Sequence, residues 1–179
     1  MDLVYYPDER LTATAKVVNF NEDSTAFIKA LAADMIKAMK MYKGVGLAAN
    51  QIGQKLALAV IDPSSDPYHT QREPFAIVNP EILEESAPVP CHNEGCLSIP
   101  GCSSHLTRFA TIKVKYQDLD GKEIIEEANG KLAQIFQHEI DHLNGKLYLD
   151  RISPMKQQMV FNKIKKIERH FKQMKKYAL

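Results

Sequence analysis

Residues 137–142 read Gln137-His138-Glu139-Ile140-Asp141-His142, an H-E-x-x-H run inside a stretch patterned as helix. On a helix, side chains four positions apart stack on one face, so both imidazoles can reach a single metal ion. A glutamate beside the first histidine is then placed to handle protons on a water bound to that metal. The motif therefore commits this part of the chain to a helix with one face given over to chemistry. A surface helix carrying two exposed histidines is the plain alternative. Two histidines also leave a metal site incomplete, so the rest of the chain must supply a ligand.

At 179 residues the chain suits one domain spanning 1–179 and is too short for two. Its apolar content of 45% and charged content of 25% are those of a soluble globular protein. A net charge of +1 gives no whole-molecule attraction to DNA or to a membrane. The start, Met1-Asp2-Leu3-Val4-Tyr5-Tyr6-Pro7, has neither the basic nor the apolar region of a signal peptide. The longest aliphatic run, Leu56 to Ile61, is far too short to span a bilayer. Three cysteines, at 91, 96 and 102, make a poor disulfide framework and a reasonable source of a metal thiolate in a reducing compartment. The expectation is a cytoplasmic protein.

Phe27, Ile28, Leu31, Met35, Met39 and Tyr42 fall on one helical face over residues 25–42, with Gly44 as a stop signal. Residues 56–62 read as a buried strand closed by Pro63, and 64–74 as a surface loop. Phe75 to Asn79 reads as a strand, and 111–118 with 122–127 as a hairpin about Asp120-Gly121. Asn129-Gly130 opens the motif helix and Asn144-Gly145 closes it. Ser153-Pro154 opens a last helix over 154–176, where Val160, Ile164, Ile167, Phe171 and Met174 form an apolar stripe. Lysines and Arg169 crowd the rest of it, with Glu168 the single acid among them. The fold class expected is α+β, with short, mostly antiparallel strands around a central metal-binding helix and a long basic C-terminal helix outside.

Three routes to a third ligand are open. The extended pattern H-E-x-x-H-x-x-G-x-x-H is matched through Gly145, but Tyr148 occupies its last position. Glu168 is the only glutamate after the motif, and its lysine-rich surroundings favour pairing with its neighbours. Cys96, in Glu94-Gly95-Cys96-Leu97-Ser98-Ile99-Pro100, offers a thiolate, against the ordinary role of a small buried hydrophobe.

Gly44-Val45-Gly46-Leu47-Ala48-Ala49-Asn50-Gln51, Glu94-Gly95-Cys96-Leu97-Ser98 and Gln137-His138-Glu139-Ile140-Asp141-His142-Leu143 resemble the three signature motifs of peptide deformylases, in that family's order. The resemblance extends over nearly the whole chain. It implies that Cys96, His138 and His142 hold the metal and that Glu139 is the general acid/base. It implies further that the Gln51 side-chain amide and the backbone N–H of Leu97 donate to the oxyanion. The reaction implied is removal of the N-formyl group from the N-terminal methionine of new polypeptides, releasing formate. Ferrous iron is the metal the resemblance implies, and Zn2+, Ni2+ and Co2+ suit the same ligands. Gly44, Val45, Gly46, Glu94 and Gly95 are expected to line the peptide cleft, the two glycines by letting a peptide backbone approach. Gln134 and Ile135, one turn before His138, should border the metal and the pocket for the first side chain. Cys91 and Cys102 read as structural thiols.

Gln134, Lys131 and His92 stand where relatives commonly carry other residue types, and Ser103 falls in a loop where many carry a basic or bulky one. A polar pocket mouth with relaxed methionine preference is one reading; neutral drift at a rim is the other. Arg108 is expected to pair with Glu94 or Asp141. The basic C-terminal helix is a candidate contact to ribosomal RNA. Two rival functions remain: a zinc endopeptidase with Glu168 as third ligand, and a nonenzymatic RNA-binding module with a vestigial site.

Overall fold

A computed structural model of the chain describes every residue except 67, 69, 70, 178 and 179, and the side chains at 168 and 170–177 also lie outside what is described. The elements are α1 (Thr25–Met41), β1 (Gly46–Ala48), β2 (Leu58–Ile61), β3 (Phe75–Glu85), β4 (Pro88–Cys96), β5 (Ile99–Phe109), β6 (Thr111–Gln117), β7 (Glu123–Asn129), α2 (Gly130–Leu143) and α3 (Pro154–Tyr177). Five strands pair antiparallel in the order β1-β2-β3-β6-β7, and β4 with β5 forms a separate two-stranded sheet.

The alternation of side chains along a strand explains how the helices lie. Leu58 and Val60 of β2 pack with Ile28, Leu31, Met35 and Met39 of α1. Ala59 and Ile61, pointing the other way, pack with Leu132, Ile135, Phe136 and Ile140 of α2. The strand is buried on both faces, which is why its sequence reads as an unbroken apolar run. A third cluster joins Cys91, Cys102 and Leu106 of the β4–β5 pair to Tyr148, Leu149 and Val160, with Phe161, Ile164 and Ile167 of α3 packed against it.

Local chemistry sets the ends. The Ser24 hydroxyl accepts from the Phe27 N–H and starts α1. At its far end Lys43, with φ 57°, takes the left-handed position, so Gly44 is not the residue that turns the chain. The N-cap of α2, Asn129, makes no side-chain cap bond; instead buried Asp66, distant in sequence, accepts from the Leu132 N–H at 3.1 Å. In the β6–β7 hairpin Asp118 Oδ1 accepts from the N–H groups of Asp120 and Lys122, giving a longer turn than Asp120-Gly121 alone.

Two expectations need correction. Strands β3 and β5 are each 11 residues long rather than short, and β3 runs well beyond Asn79. The β4–β5 pair has no counterpart in the sequence reading, which placed Ser103 in a loop; Ser103 lies in β5 opposite Gly95. Pro88, Pro90, Gly95, Pro100 and Gly101 interrupt any local strand signal there, and pairing between the two segments overrides it. The far half of the α3 stripe, Phe171 and Met174, lies outside the described side chains.

Candidate metal centre and cleft

Helix α2 is buried over most of its circumference, and that burial includes Gln137, Glu139, Asp141 and His142. Polar side chains kept inside an apolar helix need partners or a task. Gln137 has partners: it bridges Phe109 N–H and C=O on β5. Asp141 accepts from Arg108 Nη1 at 2.6 Å and from Arg151 through two bonds. Cys96, His138 and Glu139 line a cleft of about 650 Å³, and buried His142 meets it through Cys96.

Ligand atoms of Cys96, His138 and His142 all lie within 4.8 Å of one another. Cys96 Sγ is 3.2 Å from His142 Nε2. His138 turns its Nδ1 to Glu94 Oε1 at 2.7 Å, which leaves Nε2 as its free nitrogen. An outer carboxylate of this kind fixes the tautomer and ring orientation of a ligating histidine. Arg108, fully buried, holds Glu94 through Nε at 3.0 Å and Nη2 at 2.5 Å, and thereby joins both expected partners, Glu94 and Asp141. Burial works against the Glu94 anion, but the bonds from His138 and Arg108 outweigh it and hold this carboxyl well below its usual range.

A thiolate with two imidazoles is a borderline-soft set that suits Fe2+, Zn2+, Co2+ or Ni2+. His142 Nδ1 and Glu139 Oε2 are buried with no hydrogen-bond partner. Burial pushes the Glu139 carboxyl up to about 7, where a carboxylate can exchange a proton near neutral pH. The residues present fit a single divalent ion with a proton-transferring carboxylate beside it.

Gln51, on the short helical turn Ala49–Ile52, is buried, and its Oε1 accepts from the Ala48 N–H at 2.8 Å. That bond leaves Nε2 directed at the site, 3.3 Å from Cys96 Sγ and 3.2 Å from Ser98 Oγ. Ser98 closes the second motif in the sequence, which assigns it no role; the structure sets its hydroxyl against the Gln51 amide. Leu97 and Ser98 form the two-residue turn between β4 and β5, which sets the Leu97 backbone at the edge of the cleft. The glycines have a reason beside the one expected. A Cβ at Gly46 would collide with Glu139 Oε1, and one at Gly44 would come within 2.7 Å of Leu97 Cδ1. Gly46 makes room for the carboxylate, so its first duty is to the protein's own side chain.

Val45, Gly95, Gln134 and Ile135 line the cleft, as do Lys131 and Ser103. Tyr42 and Lys43 do so too, though nothing in their local sequence marked them. His92 is outside it: this residue is exposed on the opposite face of β4, next to His105. Tyr148, at the position where an extended zinc-protease motif has histidine, is buried in the third apolar cluster. Glu168 lies outside the described side chains.

A family model described as polypeptide deformylase matches residues 1–158. The chain belongs to the polypeptide deformylase family. It is 43% identical over 169 residues to a peptide deformylase of Chromobacterium violaceum, covering 94% of this chain and 96% of the relative. It is 46% identical over 164 residues to one from Bartonella quintana, covering 92% and 90%. Among solved structures, a peptide deformylase from Legionella pneumophila superposes with a TM-score of 0.84 at 41% identity, covering 94% of this chain and 95% of that one. Peptide deformylase 1B of Arabidopsis thaliana, in complex with an inhibitor, gives 0.83 at 31% identity over 97% and 93%. Membership accounts for the order of the three motifs along this chain, and the deformylase fold accounts for their convergence on one cleft.

Proposed function

We propose that this chain removes the N-formyl group from the N-terminal methionine of newly synthesised polypeptides and releases formate. Cys96, His138 and His142 would hold one divalent ion, ferrous in the cell, with Zn2+, Ni2+ or Co2+ able to replace it. The observation that carries this reading is Glu139: buried, with one unpartnered carboxylate oxygen, beside three converging ligand atoms in an open cleft. When bound, such an ion acidifies a water ligand and polarises the formyl carbonyl.

The protein's own groups do the rest. Glu139 accepts a proton from the attacking water as its oxygen bonds to the formyl carbon. The carbonyl oxygen takes on negative charge, and the Gln51 amide and the Leu97 N–H are the donors placed to stabilise it. Glu139 then returns the proton to the departing nitrogen as the C–N bond breaks, freeing the peptide amine and formate. Glu94 acts through His138, and Arg108 through Glu94, to keep the ligand set in place.

Gln134 and Lys131 make the mouth of the first side-chain pocket polar, which favours relaxed methionine preference. Formate release across formyl-Xaa-Ala peptides tests both claims. Turnover of formyl-Met-Ala supports the activity, and strong discrimination against polar Xaa would remove the relaxed selectivity while leaving the activity in place.

No helix among the described residues is long and apolar enough to cross a membrane. The exposed side chains of Lys156, Lys163, Lys165, Lys166 and Arg169 give α3 a basic face suited to ribosomal RNA in the cytoplasm, and there is no comparable reason to expect DNA as a partner. Because Phe161 stacks on Tyr6 and Ile164 and Ile167 join the core, charge reversal on that face is the clean test. Reversal at Lys163, Lys165 and Lys166 should lower ribosome co-sedimentation; unchanged co-sedimentation would refute the contact.

A further inference from the structure

The outer face of the β4–β5 pair carries two histidines that the deformylase site does not use. His92 and His105 are both exposed, their Nδ1 atoms are 3.2 Å apart, and their rings meet edge to face with centroids at 5.2 Å. The register explains the meeting. Cys91 pairs with Leu106 and Glu94 with Ser104, so His92 and Asn93 together oppose the single residue His105. Asn93, with φ 58°, absorbs the extra position of this bulge. Lys156 of α3 donates to the His105 carbonyl at 2.8 Å and ties that side of the pair to the rest of the fold.

Only one proton can lie between two neutral imidazole nitrogens, and on an exposed surface such a bond contributes about 1 kcal/mol at most. The spacing suits a second use. Metal–imidazole bonds are about 2.0–2.1 Å long, so two nitrogens on one ion stand about 2.9 Å apart at a right angle and about 3.3 Å apart at the tetrahedral angle. The observed 3.2 Å falls inside that interval. Both rings are open to solvent, so water can fill the remaining positions. Imidazole nitrogen favours copper, nickel and zinc over the hard cations, with copper the tightest of the three.

We propose that His92 and His105 form a second metal site, a two-histidine chelate for a divalent transition ion, separate from the Cys96 group. An ion there clips β4 to β5 on the outer side of the bulge whose inner side carries Glu94. The site stands on its own geometry and does not depend on the deformylase reading.

The test is equilibrium dialysis of the untagged protein against excess Ni2+, with bound metal counted per chain, for the parent and for His92→Gln and His105→Gln. Both positions are exposed, so the substitutions leave the core untouched. Each single substitution is expected to remove one ion per chain. With Cu2+ as probe, the parent is expected to show spin-resonance coupling to two further nitrogens that either substitution abolishes. A count and a spectrum unchanged by the substitutions would overturn the proposal.

Discussion

Arg108 donates to both carboxylate oxygens of Glu94, through Nε at 3.0 Å and Nη2 at 2.5 Å. Glu94 in turn receives His138 Nδ1 at 2.7 Å, so a fully buried cation on β5 orients a proposed metal ligand on α2 through a carboxylate on β4. The same guanidinium reaches Asp141 on the helix itself.

Replacing Arg108 with methionine leaves Glu94 and Asp141 as buried anions that have lost a shared partner. Removing one member of a buried ion pair costs about 3–5 kcal/mol. Arg108→Met should therefore lower unfolding free energy by about that amount in a denaturant titration. A loss within about 0.5 kcal/mol, typical of a surface change, would show that the network is not structural.

Gly46→Ala and Gly44→Ala should behave differently. The new methyl at 46 meets the Glu139 carboxylate, whereas the one at 44 meets the mobile end of Leu97. The first substitution is expected to cut turnover by about 10²–10⁴-fold, the worth of a general acid/base, with bound metal unchanged. The second should cost much less. Equal losses in formate release would contradict the spatial argument.

Gln51→Ala removes an amide nitrogen aimed at the site, together with the Oε1 that accepts from the Ala48 N–H. Loss of one oxyanion donor costs about 3–4 kcal/mol of barrier, a fall of about 10²–10³ in kcat. Steady-state kinetics on a formylated dipeptide checks this, and a change confined to KM would assign Gln51 to ground-state binding instead.

The alkaline limb of stability should depend on Tyr116. Burial, reinforced by the Glu126 anion, pushes its phenol from 10.0 up to about 12. A raised folded-state pKa gives stability that is complete below pH about 10 and is lost as pH climbs toward 12, with a slope of at most about 1.4 kcal/mol per pH unit. Tyr116→Phe should make that part of the stability curve shallower, as read from denaturant midpoints across the window. Parallel curves for parent and variant would refute the assignment.

What the sequence disclosed followed from periodicity within a single segment. The α1 stripe apart from Phe27, which is 51% exposed, the apolar run of β2, the β6–β7 turn and the spacing of His138 and His142 are all local patterns, and each appears in the fold. The β4–β5 pair was hidden because its stability comes from long-range pairing and from burial of Cys91, Cys102 and Leu106, while its own residues include strand breakers. Within the site, residue types pointed to ligands and base, and the resemblance named Cys96. The support of Gln51 by Ser98 and the clearance of Glu139 by Gly46 are contacts between segments distant in sequence, which no local pattern encodes. His92 shows the opposite failure: the resemblance groups it with Gln134 and Lys131 at a polar pocket mouth, and the bulge beside it sends it to the outer face.

Formate release from formyl-Met-Ala by the anaerobically iron-loaded protein, run beside Glu139→Gln, tests the central claim most directly. The account predicts turnover by the parent and a loss of about 10²–10⁴-fold in the variant, with one ion per chain retained at the Cys96 group in both. No formate from the loaded parent, or equal rates from parent and variant, would contradict it.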